Sequence, residues 1–281
     1  MARNIGPMSQ TLPLTGRTIG VTADRRGDDQ QVMFGRLGAE VVLGPTISTV
    51  KLPDPALLRR RTEEIIAAPP DYVIANTGVG VRTWMAAAAE WALDGHLRDA
   101  LDQSYIASRG PKATGGLGSF GLAPQWRSPT EQLGEVVEHL KVLGVSGKRV
   151  ALQLHGDDCA DFVADLETAG AEVTTVPVYV WEPPPDPTAA MDLIERTCAG
   201  GIDAVTFTAA PQARSLIDLA GRVGRAAELL TVLNGAVVVG CIGPVCAAGA
   251  AAVGIDDVVQ PANRRLGSLV KAVAEALSRP A

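Results

Sequence analysis

Four short segments combine small residues, hydroxyls or cations with the start of an apolar helical pattern. They are Ala75-Asn76-Thr77-Gly78-Val79-Gly80, Ser108-Arg109-Gly110-Pro111-Lys112, Thr206-Phe207-Thr208-Ala209-Ala210 and Gly240-Cys241-Ile242-Gly243-Pro244. Each follows a strand-like run, so backbone N–H groups can converge at the positive end of the next helix and hold an anion. For any one loop a tight turn explains Gly and Pro equally well; the recurrence of four favours a ligand. Arg25 and Arg26 follow the first strand-like run, and Arg109, Lys112 and Arg127 lie in or near later opening loops. Cations grouped at strand ends suit a polycarboxylate. Arg59-Arg60-Arg61 falls inside a helical pattern and reads as a charged face. His155-Gly156-Asp157-Asp158 offers an acid or base, or an Asp cap for the following helix.

Other chemistries are excluded by what the chain lacks. No G-x-G-x-x-G follows the first strand-like run and no Walker A segment is present, so nucleotide binding has no phosphate cradle. Cys159, Cys198, Cys241 and Cys246 contain no C-x-x-C pair, and His96, His139 and His155 complete no zinc-type spacing. The expectation is no cofactor, no metal and reduced thiols. Lys and Arg number 25 against 31 Asp and Glu, a net charge of −6, which argues against a chain-wide nucleic-acid or anionic-membrane footprint. Residues 229–255 carry no charge and could span a membrane by length, but Asn234, Gly235, Gly240, Gly243, Pro244 and Gly249 interrupt them. A buried strand, turn and helix fit better. The N-terminal segment lacks the apolar run of a secretory signal, so the expected compartment is the cytoplasm.

The elements that must carry these loops follow from a repeat. Gly38-Ala39-Glu40-Val41 returns as Gly170-Ala171-Glu172-Val173, 132 positions later, and Pro45 returns as Pro177 at the same offset. Asp71, Val73 and Arg82 return as Asp203, Val205 and Arg214, and Gly110-Pro111, Gly116 and Gly121 as Gly243-Pro244, Gly249 and Gly254, now 133 apart. The chain of 281 residues thus reads as two copies of one α/β unit, near 16–146 and 147–281. Strands are predicted at 18–22, 40–43, 72–75, 104–107, 149–154 and 172–180. Helices are predicted at 29–37, 55–67, 81–92, 112–120, 130–143, 159–169 and 266–277. Asp54-Pro55 makes a good helix start. Alternating β and α imply parallel sheets flanked by helices. With aromatics at 4%, the core must be built from Ala, Val, Leu and Gly. The run from Trp181 to Pro187 reads as a stiff connector at a domain crossing.

These features together resemble the uroporphyrinogen-III synthase family. The carriers are the two α/β copies, Thr174-Thr175-Val176-Pro177-Val178-Tyr179 after Gly170-Ala171, Val205-Thr206-Phe207-Thr208, and the G-x10-G spacing of Gly110 to Gly121 and Gly243 to Gly254. The resemblance runs from about Gly16 to the end. It implies two similar domains, each a parallel sheet flanked by helices, joined by a two-stranded linker with the substrate in the cleft. Domain one would be 1–46 with 181–281 and domain two 47–180, crossing near Pro45 and Pro177. It further implies a cofactor-free conversion of hydroxymethylbilane to uroporphyrinogen III, with Tyr179 matching the family's tyrosine as candidate acid. Tyr179 could also be a packing residue. Arg25, Arg26, Asn76, Thr77, Gly78, Arg109, Gly110, Lys112, Thr208, Ala209 and Gly243 would bind the tetrapyrrole's carboxylates.

The chain departs from the family where Thr commonly follows each G-x10-G glycine by three positions, having Ala113 and Cys246. It also has Asn76-Thr77 and Thr208-Ala209 where Thr-Ser is frequent. Some actinobacterial relatives fuse this part to a DNA-binding winged helix. The alternative expectation is therefore a catalytically weak tetrapyrrole sensor with a separate DNA-binding domain, which this chain, ending after helix 266–277, does not itself contain. The partner expected is a small-molecule tetrapyrrole, with no membrane and no direct nucleic-acid contact.

Overall fold

The computed structural model describes residues 12–156 and 159–278. The chain begins β1 (Thr18–Val21), α1 (Gly27–Gly35), β2 (Glu40–Leu43), β3 (Ser48–Lys51), α2 (Pro55–Ala67), β4 (Tyr72–Ala75), α3 (Gly78–Glu90) and α4 (Asp94–Asp102). It continues β5 (Tyr105–Ser108), α5 (Pro111–Gly118), β6 (Trp126–Arg127), α6 (Leu133–Leu143), β7 (Arg149–Gln153), α7 (Ala160–Thr168), β8 (Glu172–Val176) and β9 (Tyr179–Glu182). The last part is α8 (Thr188–Cys198), β10 (Ala204–Phe207), α9 (Ala210–Arg222), α10 (Ala226–Leu233), β11 (Val238–Cys241), α11 (Pro244–Ala251) and α12 (Leu266–Leu277).

Residues up to Ser48 and from Glu182 onward form unit 1, and Thr49–Trp181 form unit 2. Unit 1 holds a four-stranded sheet in the order β11-β10-β1-β2, with Ile19 opposite both Ala204 and Val41. Unit 2 holds a five-stranded sheet, β6-β5-β4-β7-β8, with Tyr72 opposite both Tyr105 and Val150. Every pairing in these two sheets is parallel. Strands β3 and β9 pair separately as two strands. The sequence repeat maps β1 onto β7, β2 onto β8, β10 onto β4 and β11 onto β5. Each sheet is therefore assembled from the first half of one copy and the second half of the other.

The strands are buried on both sides, so their side chains are apolar almost without interruption. In unit 2, Leu58, Ile65, Trp84, Leu101 and Leu117 form one core cluster and Val136, Leu140, Val150 and Leu166 another. Unit 1 likewise has Leu193, Phe207, Leu216 and Leu229 in one cluster and Ile19, Phe34, Leu269 and Val273 in another. The recurring aspartates are fasteners at the N-terminal strand ends. Asp71 accepts hydrogen bonds from the Arg149 N–H at 2.9 Å and Lys148 Nζ at 3.0 Å, and Asp203 from the Thr18 N–H at 2.8 Å and Arg17 Nη1 at 2.6 Å. The Arg149 N–H, followed by the Lys148 ammonium, holds the Asp71 carboxyl below its usual range. The G-x10-G spacing also has a local cause. Gly121 and Gly254 take φ of +74° and +85° just past α5 and α11, which favours glycine.

Several elements differ from the sequence expectation. Residues 172–180 are two strands, because Pro177 has no N–H for the ladder and the chain turns between β8 and β9. The connector begins later than expected, since Trp181 and Glu182 complete β9; a residue before proline favours extended backbone, so Pro183 does not disturb it. Asp54 caps α2 as expected, accepting from the Leu57 N–H at 2.8 Å. The helix predicted at 81–92 starts at Gly78, because Thr77 is its cap. Within 229–255, the first residues belong to α10, followed by β11 and α11. No expectation covered α4, whose Leu97, Ala100 and Leu101 supply a short buried stripe. Among the described residues no helix is long and apolar enough to cross a membrane.

Candidate active site

In each sheet the connections leave two central strands in opposite directions: from β1 to β2 and β10 to β11 in unit 1, from β7 to β8 and β4 to β5 in unit 2. The carboxyl ends of such a strand pair are where doubly wound sheets take ligands. In unit 2 that position is held by Asn76 and Thr77 after β4 and by His155 after β7.

Thr77 leaves β4 in extended conformation and caps α3, its Oγ1 accepting from the Gly80 N–H at 3.0 Å. The buried Gln153 amide steadies the loop: its Oε1 accepts from the N–H groups of Asn76 at 3.1 Å and Thr77 at 2.9 Å. Gly80 leaves room for that amide, since a Cβ there would stand 2.0 Å from Gln153 Nε2. Gly78 is equally constrained, as its Cβ would stand 2.0 Å from the Lys112 carbonyl oxygen at the start of α5. Tyr179, 5% exposed, donates its hydroxyl to Thr77 Oγ1 at 3.3 Å.

Asn76 is 2% exposed, and its Nδ2 donates to His155 Nδ1 at 2.8 Å while its Oδ1 is buried without a partner. Cys159 Sγ lies 3.1 Å from the same Nδ1. Trp181 stands edge-on to both His155 and Tyr179, at ring-centroid distances of 5.8 Å and 6.1 Å. Gly156 has φ +106°, and a Cβ there would stand 2.3 Å from the Trp181 ring, so backbone and indole both exclude a side chain.

Unit 1 presents different chemistry at the matching position. Ala209 takes the cap position of α9 without a hydroxyl, and Gln212 Oε1 accepts from the N–H groups of Thr208 at 2.6 Å and Ala209 at 2.9 Å. The amide that steadies the loop thus comes from α9 in unit 1 and from β7 in unit 2. Gly243, before α11, is covered by the side-chain carbons of Arg264, and Gly110, before α5, by those of Glu131. These covering residues are themselves equivalent in the repeat. A guanidinium accompanies the helix N-terminus in one unit, a carboxylate in the other.

The remaining expected residues are dispersed. Arg25 and Arg26 are exposed after β1, with Arg26 Nε paired to Asp29 at 2.6 Å. Arg109 is half-buried after β5, while Lys112 and Arg127 are exposed on α5 and β6. Arg59 and Arg61 pair with Glu63 and Glu64 along α2, as a charged face should. Asp157 and Asp158 lie outside the described residues, and the cap position of α7 is Cys159. Cys241 and Cys246 are buried; hydrogen bonding to the Cys241 thiol and burial push the Cys246 thiol up, which keeps it protonated. Among the described residues no three His, Cys, Asp or Glu side chains gather as a metal site would require. Sequence reasoning missed Gln153, Gln212, Glu131, Arg264 and Trp181. For Glu131 and Arg264 the signal was present, since they stand 133 positions apart, as Gly110 and Gly243 do.

Residues 29–271 match the family model described as uroporphyrinogen-III synthase HemD. An uncharacterized protein YjjA of Bacillus subtilis is 29% identical over 93% of this chain and 96% of its own. A putative uroporphyrinogen-III synthase of Methanothermobacter thermautotrophicus is 28% identical over 74% of this chain and 78% of its own. Among solved structures, a mutant uroporphyrinogen III synthase from the extremely thermophilic bacterium Thermus thermophilus superposes with a TM-score of 0.78 at 28% identity, covering 94% of this chain and 100% of its own.

Proposed function

Because the chain belongs to the uroporphyrinogen-III synthase family, we propose that it cyclises hydroxymethylbilane to uroporphyrinogen III, inverting ring D and releasing water, in haem and sirohaem synthesis. It acts as a hydro-lyase without a cofactor. The observation that carries this reading is the hydroxyl pair of Tyr179 and Thr77 at the carboxyl ends of the central strands of unit 2. Loss of the substrate hydroxyl requires a proton, and this pair is a proton source held in place by the α3 cap and the Gln153 amide.

Leaving-group departure produces an azafulvene, and ring D then attacks through its substituted carbon if the chain is held in the matching fold. Substrate carboxylates would be held by loop N–H groups and by cations at the sheet ends, among them Arg25, Arg26, Arg109, Lys112 and, newly, Arg264. Gly110 and Gly243 contribute backbone, whereas the Thr208 and Ala209 N–H groups are already taken by Gln212 Oε1, which corrects the expectation for those two residues. Asn76, by contrast, supports the site through His155, because its amide is buried. The compartment proposed is the cytoplasm, consistent with four cysteines in thiol form.

A second reading, tetrapyrrole binding without fast turnover in a regulator, draws on Ala209, Ala113 and Cys246, three positions that lack the hydroxyl common in the family. Incubation with enzymatically generated hydroxymethylbilane separates the two. Isomer III above the spontaneous isomer I supports the synthase, whereas isomer I alone with saturable binding supports the sensor.

A further inference from the structure

We propose that the group delivering the proton to the leaving hydroxyl is Thr77, with Tyr179 acting behind it as the proton reservoir. This rests on the synthase reading above. A threonine hydroxyl has two acceptor sites and one hydrogen. Thr77 Oγ1 receives the Gly80 N–H at 3.0 Å and the Tyr179 O–H at 3.3 Å, so both acceptor sites are filled from within the protein. Its own hydrogen must point elsewhere, and among the described residues no acceptor takes it. Thr77 is partly exposed, whereas Asn76, Gly78, Gly80 and Tyr179 around it are buried.

The internal repeat supplies an independent comparison. At an offset of 132, Thr77 corresponds to Ala209 and Tyr179 to Ile47. Both hydroxyls occur together in unit 2 and both are missing together at the equivalent positions. A cap alone would not require this pairing, since unit 1 steadies its loop with Gln212 and no hydroxyl.

The step balances as follows. The substrate C–O bond breaks with its electron pair on oxygen, which takes the Thr77 proton and departs as water. Thr77 Oγ1 takes the phenolic proton of Tyr179, leaving a phenolate, while the pyrrole nitrogen lone pair forms the C=N bond of a protonated azafulvene that keeps its N–H and carries the balancing positive charge. The proton later released when the attacked ring regains aromaticity returns by the same chain. Thr77 is then a catalytic residue and Tyr179 a positioning and supplying one.

The test is single-turnover formation of isomer III in H2O and D2O mixtures. Asn caps helices as well as Thr, so Thr77→Asn retains the bond to Gly80 without the hydroxyl, and Thr77→Ser retains both. Thr77→Asn should slow isomer III formation tenfold or more and straighten the curved two-proton dependence on deuterium fraction, and Thr77→Ser should restore both. Near-equal rates for Asn and Ser, or a linear dependence in the unaltered protein, would overturn the relay while leaving the synthase intact. Absence of any isomer III from the unaltered protein would overturn both. Additive changes in thermal midpoint for Thr77→Asn and Tyr179→Phe would overturn the hydroxyl bond itself, and a non-additive pair would support it.

Discussion

Tyr179 is the residue whose role is most sharply divided between chemistry and packing. Its ring is 5% exposed and edge-on to Trp181, so Tyr179→Ala should lower the melting temperature through lost burial. Tyr179→Phe keeps the ring and should slow isomer III formation by roughly tenfold or more with the melting temperature nearly unchanged. Parallel rate and melting measurements on the two variants check this, and a Phe variant with full rate would reduce Tyr179 to a wall. Gln153 and Gln212 form a second pair. Each accepts two loop N–H groups, so replacement by Met strands two donors and should cost roughly 2–4 kcal/mol in denaturant unfolding. Only Gln153→Met should also impair turnover, because only its loop carries Thr77. The legible part of the site was backbone chemistry: Thr77, Gly78, Gly110 and Gly243 stand at helix starts because Gly, Pro and Thr have local preferences. Gln153 and His155 were obscure as partners because they reach β4 from β7, a neighbour fixed by sheet order and not by sequence spacing.

At the scale of elements, β6 and α6 are tied to the sheet of unit 2 through His139. Its ring stacks on Trp126 at 4.0 Å with an interplanar angle of 6°, and the Tyr105 hydroxyl lies 2.9 Å from its Nε2. Burial holds the imidazolium pKa below its usual value. The unfolded imidazole therefore gains a proton near pH 6.5 while the folded one resists it to lower pH. The stabilisation is complete above about pH 6.5 and is lost as the pH falls through the folded pKa. Thermal midpoints measured at pH 7.5 and 5.5 should differ less in His139→Phe than in the unaltered protein. Equal differences would exclude His139 as the source. The strands and most helices were legible because buried parallel strands are continuously apolar and the helix starts carry Asp-Pro or Gly-Pro. The break at Pro177 and the short α4 were not, since one depends on where the ladder ends and the other on a narrow buried stripe.

At the scale of the whole molecule, the duplication explains how a chain with a net charge of −6 can be expected to hold a polyanion. Many of the acids pair with Arg and Lys along helix faces, while Arg25 and Arg109 lie in strand-end loops, Lys112 lies in the first turn of α5 and Arg264 covers Gly243. Tetrapyrrole binding should weaken steeply between low and moderate salt, as titration at two ionic strengths would reveal. Salt-independent affinity would remove these cations from the account. The two-copy organisation was legible from the constant offset of Gly38 and Gly170 or Asp71 and Asp203. What the offset concealed was divergence of roles, because repeats align by the residues that stay alike. Thr77 and Tyr179 are informative because their counterparts in the repeat, Ala209 and Ile47, differ from them.

The central claim is that this divergence makes unit 2 the source of the proton for ring closure. Its most direct test is product analysis after hydroxymethylbilane is generated enzymatically in the presence of the purified protein, with isomers I and III separated and quantified against time. The account predicts isomer III in excess, formed faster than spontaneous closure to isomer I and slowed roughly tenfold or more in Tyr179→Phe and Thr77→Asn. Isomer I alone, at the spontaneous rate, would contradict it.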